Sequence, residues 1–175
     1  NNAVYGLPLA ADTLALYYNK DLLNAANIVT PPQTWQEFVD VIDSTKSSLT
    51  KEQNGQLVQS GAALGTADNV DRSVDILAAL MMQSGAQMTD ALGHSVAFQN
   101  PSAKEREYHP GVQALTFYTA FANPGRVTYT WNDQQPDAQE AFAAGKVGFF
   151  VGYQYQRDLI KQQNPALNFG IAPLP

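Results

Sequence analysis

An α/β layer fold is predicted by the alternation, along this chain, of short apolar runs that end in glycine or a polar stop with segments whose apolar residues recur at helical spacing. Two further observations set its scale. At 175 residues, with 45% hydrophobic and 15% charged, the chain is long enough to bury one sizeable core. No internal repeat or low-complexity segment divides it, so one domain over 1–175 is expected.

Leu14 to Tyr18 is bulky without clean alternation, as in a strand buried on both faces, and Asn19-Lys20-Asp21 breaks it. A short helix is expected over Leu22 to Ala26. Pro31 and Pro32 hold the chain extended, Thr34 offers an N-cap oxygen, and Glu37 completes a capping box. Trp35, Phe38, Val39 and Ile42 then predict a helix from Trp35 to about Leu49. After a polar loop, Gly61 to Gly65 reads as a short buried strand. Thr66-Ala67-Asp68-Asn69 is expected to cap a helix carrying Val70, Val74, Leu77, Ala78, Met81 and Met82 on one stripe, closing at Gly85.

Val96 to Phe98 is the next expected strand. Pro110 sits at the first turn of a helix carrying Val112, Leu115, Phe117, Tyr118 and Phe121, which Asn123-Pro124-Gly125 stops. Pro136-Asp137 opens a helix with Ala138, Ala141 and Phe142 inward, ending at Gly145. Val147 to Val151 is a strand, and Gly152 turns the chain into a helix from about Tyr153 to Gln163. Phe169 to Pro175 reads as a last strand.

The formal net charge of -6, with ten Lys and Arg spread along the chain, provides no basic stripe for phosphate backbones and no polybasic membrane patch. No run approaches the roughly 20 apolar residues of a membrane helix, and no signal-peptide pattern is visible. There are no cysteines, so disulfides, thiolate metal sites and a cysteine nucleophile are absent.

Hydrolytic chemistry needs a nucleophile with a base and an orienting acid. The chain has no Gly-X-Ser-X-Gly elbow, and its two histidines, His94 and His109, read as solvent-exposed punctuation. Asp68, Asp71 and Asp75 lack the alternating ligands, central glycine and terminal glutamate of a calcium loop, and Gly61 to Thr66 lacks the lysine of a phosphate loop. Carboxylates at a helix N-terminus account for the acidic trio. No metal or cofactor is expected. What remains is a set of polar and aromatic residues where strands end and helices begin: Asp12, Asp68 with Asn69, Trp131 with Asn132, and Tyr153-Gln154-Tyr155. Each alone is better explained as a cap, a turn or a core aromatic. Together they point to a binding face at one edge of an open sheet.

Five segments in order resemble the extracellular solute-binding proteins of ABC importers, the maltose-binding-protein-like group. They are Tyr17-Tyr18-Asn19-Lys20-Asp21-Leu22-Leu23, Pro32 to Phe38, Leu80 to Ala86, Ala141 to Phe149 and Phe169 to Pro175. The resemblance implies one lobe of the two-lobed class II periplasmic-binding-protein fold, a central mixed sheet flanked by helices. This chain looks like the second lobe, running from a hinge crossing near Tyr5 to a return crossing at Ala172-Pro173-Leu174-Pro175. It further implies that Asp12 matches an acidic residue at the cleft mouth. An aromatic follows Gly152 where the family commonly stacks on ligand, but the usual Gly-X-Trp reads Gly152-Tyr153-Gln154 here, leaving open which tyrosine forms the platform.

The implied function is capture of a small polar solute, with carbohydrate first and a polyamine second, and delivery to ABC permease subunits. The implied location is periplasmic or extracellular, with lipid anchorage through a preceding segment as one route. The competing reading is a sensor or interaction domain on the same fold without transport; an enzyme would need catalytic groups from elsewhere.

Overall fold

The computed structural model describes residues 6–102, 104, 105 and 107–175, so Tyr5 lies outside the described residues. Five strands form one mixed sheet in the order β2-β3-β4-β1-β5. Strand β1 (Leu14–Asn19) pairs antiparallel with β4 (Val147–Tyr153) and β5 (Phe169–Ala172). Strand β3 (Gln56–Ala62) runs parallel to β4 and antiparallel to β2 (Lys51–Gln53). Helices α1 (Lys20–Ala25), α2 (Trp35–Ile42), α3 (Ser73–Gln83), α4 (Pro110–Ala120), α5 (Ala138–Ala143) and α6 (Gln156–Gln163) flank it.

The central strand β4 is buried from Val147 to Gly152, and its successive rings serve opposite faces. Phe149 packs on Phe38 of α2 with centroids 5.2 Å apart, while Phe150 packs on Phe142 of α5 at 5.7 Å and on Tyr17 of β1 at 5.5 Å. Each face of the sheet therefore has its own aromatic cluster, which is why β1 and β4 show apolar runs rather than alternation.

Several local expectations shift, each for a visible reason. Asn19 does not merely break β1. Its side chain accepts the N–H groups of Asp21 and Leu22, so α1 starts at Lys20. Thr34 caps α2 through the Glu37 N–H as expected, but the Glu37 carboxylate returns to the N–H of Gln33 at 2.8 Å rather than to that of Thr34. Helix α2 ends at Ile42 instead of Leu49. Asp43 turns its carboxylate onto the N–H and hydroxyl of Thr45, and Ser44 donates to the Val127 carbonyl.

The segment expected as a polar loop holds the β2–β3 hairpin. Asn54 and Gly55 carry φ of 53° and 75°, the positive pair that a tight hairpin turn requires. Val96 to Phe98 makes only an isolated bridge, Val96 to Thr89.

Helix α3 buries Ile76, Leu80 and Met81, leaving Val74 77% and Met82 57% exposed. The expected stripe is therefore rotated. Its N-cap is Arg72, without a side-chain cap bond. Helix α4 buries Gly111, Ala114 and Tyr118 rather than Val112 and Leu115, because it lies so close to the 98–100 backbone that a Cβ at Gly111 would overlap the Phe98 carbonyl. Asp137 caps α5, whose Ala138, Ala141 and Phe142 point inward as expected. Strand β4 runs on to Tyr153, paired with Leu14, and α6 starts only at Gln156.

Candidate functional site

The end of β4, the segment before β1, the 66–72 turn and the 131–137 loop meet at one end of the sheet. At their centre is Tyr153-Gln154-Tyr155, set by a buried polar frame. Gln156 is fully buried; its Oε1 accepts the Tyr153 N–H at 2.8 Å and its Nε2 donates to Gln139 Oε1 at 3.0 Å. From the opposite side the Tyr17 hydroxyl donates to the carbonyls of Tyr153 and Gln154 at 2.7 and 3.2 Å. Burial pushes the Tyr17 phenol up to about 12, so it remains a donor throughout the physiological range.

Asp12, itself exposed, braces the same turn from the surface. Its carboxylate accepts the N–H groups of Gln154 and Tyr155, at 3.0 and 3.2 Å, and of Thr13 at 2.7 Å. Both oxygens are thus committed to backbone, and Asp12 fixes the turn rather than pointing a free carboxylate outward. An open cleft of about 690 Å³, lined by Thr13, Leu14, Gln154, Arg157, Ile171 and Pro173, runs alongside.

The two tyrosine rings stack at 6.4 Å with 17° between their planes. The Arg72 guanidinium stands over both, 5.4 Å from the Tyr153 centroid and 5.9 Å from that of Tyr155, and its Nη2 donates to the Tyr155 hydroxyl at 2.6 Å. Burial, then the negative charge of Asp75, raises the Tyr153 pKa. Tyr155 is 47% exposed and Tyr153 half-buried.

The other sequence-predicted residues form a neighbouring network. Trp131 is 0% exposed, and its indole N–H donates to Asn69 Oδ1 at 3.0 Å. Asn69 also accepts from Thr66 and donates to the carbonyls of Asn132 and Gln135, both at 2.9 Å. Its amide is fully used in tying the two loops together. Asn132 is half-buried, donating to the Tyr129 hydroxyl and accepting from the Gln134 N–H. Asp68 is exposed at the tip of its turn. Thus Trp131 and Asn69 support the rim, while Asp68, Gln154 and Tyr155 reach its surface.

Sequence reasoning missed Arg72, Gln156 and Tyr17. Arg72 stands inside a stretch read for its carboxylates and apolar stripe, and Gln156 in a segment read only as helix. Burial and then the Asp137 carboxylate raise the pKa of Asp71, against the opposing charge of its sequence neighbour Arg72. Among the described residues, no group of three or more His, Cys, Asp or Glu side chains is placed to hold a metal.

A family profile described as bacterial extracellular solute-binding protein matches residues 1–175. A Brucella abortus protein named as a candidate binding protein is 29% identical over 177 residues, covering 98% of this chain and 38% of that protein. A multiple sugar-binding protein of Streptococcus mutans is 24% identical over 176 residues, covering 100% of this chain and 39% of that protein. The solved structure of a protein with mannobiose bound superposes with a TM-score of 0.68 at 26% identity, covering 98% of this chain and 41% of the other. The chain spans well under half the length of the relatives it matches.

Proposed function

This chain belongs to the bacterial extracellular solute-binding proteins, and from that premise we propose that it is one lobe, the second, of a two-lobed capture protein of an ABC importer. Its solute is a carbohydrate, held between this lobe and another part of the full-length protein and passed to permease subunits after hinge closure. The lobe performs no catalysis. The observation that carries this reading is the rigidly framed tyrosine pair at the carboxyl end of β4, with Tyr155 exposed and lining an open pocket of about 250 Å³ together with Asp12 and Gln154. An aromatic face offers stacking area to a sugar ring, and amide and carboxylate groups nearby offer hydroxyl partners. Asp68, Gln154 and Tyr155 are the contacts proposed for ligand, with Tyr155 the platform; Asp12, Asn69, Trp131, Asn132 and Tyr153 hold them in place. The mannobiose-bound neighbour and the sugar-binding relative support the carbohydrate class.

Isothermal titration of the full-length protein against a panel of neutral mono- and disaccharides, mannobiose included, tests the proposal. Saturable binding of at least one sugar is expected; no binding by any of them would overturn the carbohydrate reading. The isolated lobe is expected to bind the same sugar far more weakly, because it supplies only part of the buried contact.

A further inference from the structure

Two tyrosine faces with negative charge nearby are the elements of a site for an organic cation. Tyr153 and Tyr155 stack at 6.4 Å, Asp12 accepts the backbone N–H groups of Gln154 and Tyr155 beside them, and Asp71 and Asp75 flank Arg72 in the chain and act on it by charge. Cations bind such faces by attraction to the ring quadrupole, and carboxylates add charge pairing.

In this chain the place is already taken. The Arg72 guanidinium lies over both rings, at 5.4 and 5.9 Å, anchored by the 2.6 Å bond to the Tyr155 hydroxyl. Its Nε is shielded from solvent and has no hydrogen-bond partner among the described residues. The guanidinium is therefore held chiefly by the ring faces and one hydroxyl, not by a full set of acceptors, as a bound cation in an aromatic cage would be. Asp71 and Asp75 contribute charge from α3 and the turn before it, and Asp12 from across the site.

We propose that Arg72 is a resident cation that fills the aromatic cage and thereby sets the specificity of the site, excluding cationic solutes and leaving the outer surface of Tyr155 to uncharged polyhydroxyl ones. The proposal rests on the solute-capture reading above and decides between its two solute classes. A diamine approaching the tyrosines meets a like charge fixed at the rings, whereas a neutral sugar meets none. Removal of Arg72 leaves two rings and a surplus of negative charge, which is a site for a polyamine.

The test is titration of the full-length protein, wild type and Arg72 variants, with mannobiose and with spermidine. Wild type is expected to show no saturable spermidine binding. Arg72→Gln and Arg72→Met, two ways of deleting the charge should one of them fold poorly, are expected to gain spermidine affinity by roughly tenfold or more over wild type. Arg72→Lys, which keeps the charge and loses the fork, is expected to go on excluding spermidine. Tight spermidine binding by wild type, no gain in either neutral variant, or spermidine admitted by Arg72→Lys as readily as by the neutral variants would each overturn the proposal. Failure of wild type to bind any neutral sugar would instead remove the carbohydrate reading, with the spermidine gain still reporting on Arg72.

Discussion

Asp12 and Gln154 stand 142 positions apart in the chain, yet the Gln154 backbone N–H donates to Asp12 Oδ1 at 3.0 Å. The neighbouring Tyr155 N–H takes the other carboxylate oxygen at 3.2 Å, so one side chain before β1 fixes the turn after β4. The strand pair β1–β4 ends with Leu14 opposite Tyr153, and Asp12 carries the connection past the last ladder position.

That bracing is charge-dependent. Desolvation beside the turn works to raise the Asp12 pKa, and the N–H donors of Thr13, Gln154 and Tyr155 together outweigh it and hold the carboxyl below its ordinary 3.8. A carboxyl whose folded pKa is depressed contributes above its unfolded pKa and loses that contribution as pH falls through the folded value. The amide chemical shifts of Gln154 and Tyr155 are therefore expected to titrate together with a midpoint below 3.8, and Asp12→Asn to abolish the titration. Separate midpoints, or a common one at or above the ordinary value, would remove Asp12 from this role.

Gly152 is required for a different reason. A Cβ there would overlap Gln156 Oε1 and sit 2.6 Å from the Phe150 ring. Neither can yield freely, since Gln156 holds the Tyr153 N–H and Phe150 packs between Tyr17 and Phe142. Gly152→Ala is expected to cost about 1–3 kcal/mol by overpacking, read as a Tm several degrees lower. Gly125→Ala, where the nearest contact would be Asn123 Oδ1 at 3.3 Å, is the control and is expected to change stability by no more than about 0.5 kcal/mol. Equal melting of the two variants would contradict the packing argument.

The elements whose signals are local were legible in the sequence. Thr34 and Asp137 announce α2 and α5 through their own side chains, and the apolar runs around Tyr17 and Phe149 announce strands covered on both faces. The Asn54-Gly55 turn was equally local and was passed over because the strand before it, β2, is polar and exposed throughout. What decides the face of α4 is not local: Gly111 and Ala114 are buried because small residues let the helix approach the 98–100 backbone, which no periodicity of large apolar residues reveals. The site divides in the same way. Tyr153 and Tyr155 could be nominated from their place after a strand, but Arg72 acquires its role only through contacts across 83 positions. Trp131 reads the same in sequence whether buried or offered to a ligand, and the Asn69 amide settles that it is buried.

Trp131 and Tyr155 provide the sharpest separation of support from contact. Trp131→Phe deletes the N–H that Asn69 Oδ1 accepts and leaves a smaller ring in a fully buried position. Both the lost bond and the unfilled volume act on stability, by about 1–3 kcal/mol together, so the variant melts earlier. Its effect on mannobiose affinity in the full-length protein is expected to be less than about threefold, since the ring reaches no surface. Tyr155→Ala removes a ring that is 47% exposed and linked to the fold by one bond to Arg72. It is expected to shift stability by less than about 1 kcal/mol and to weaken sugar binding by roughly tenfold or more, the stacking area being lost from the ligand rather than from the core. The two measurements, a thermal melt and a titration, thus move in opposite proportion for the two variants. If Trp131→Phe lost the affinity and Tyr155→Ala kept it, the stacking surface would have to be sought in the 131–137 loop.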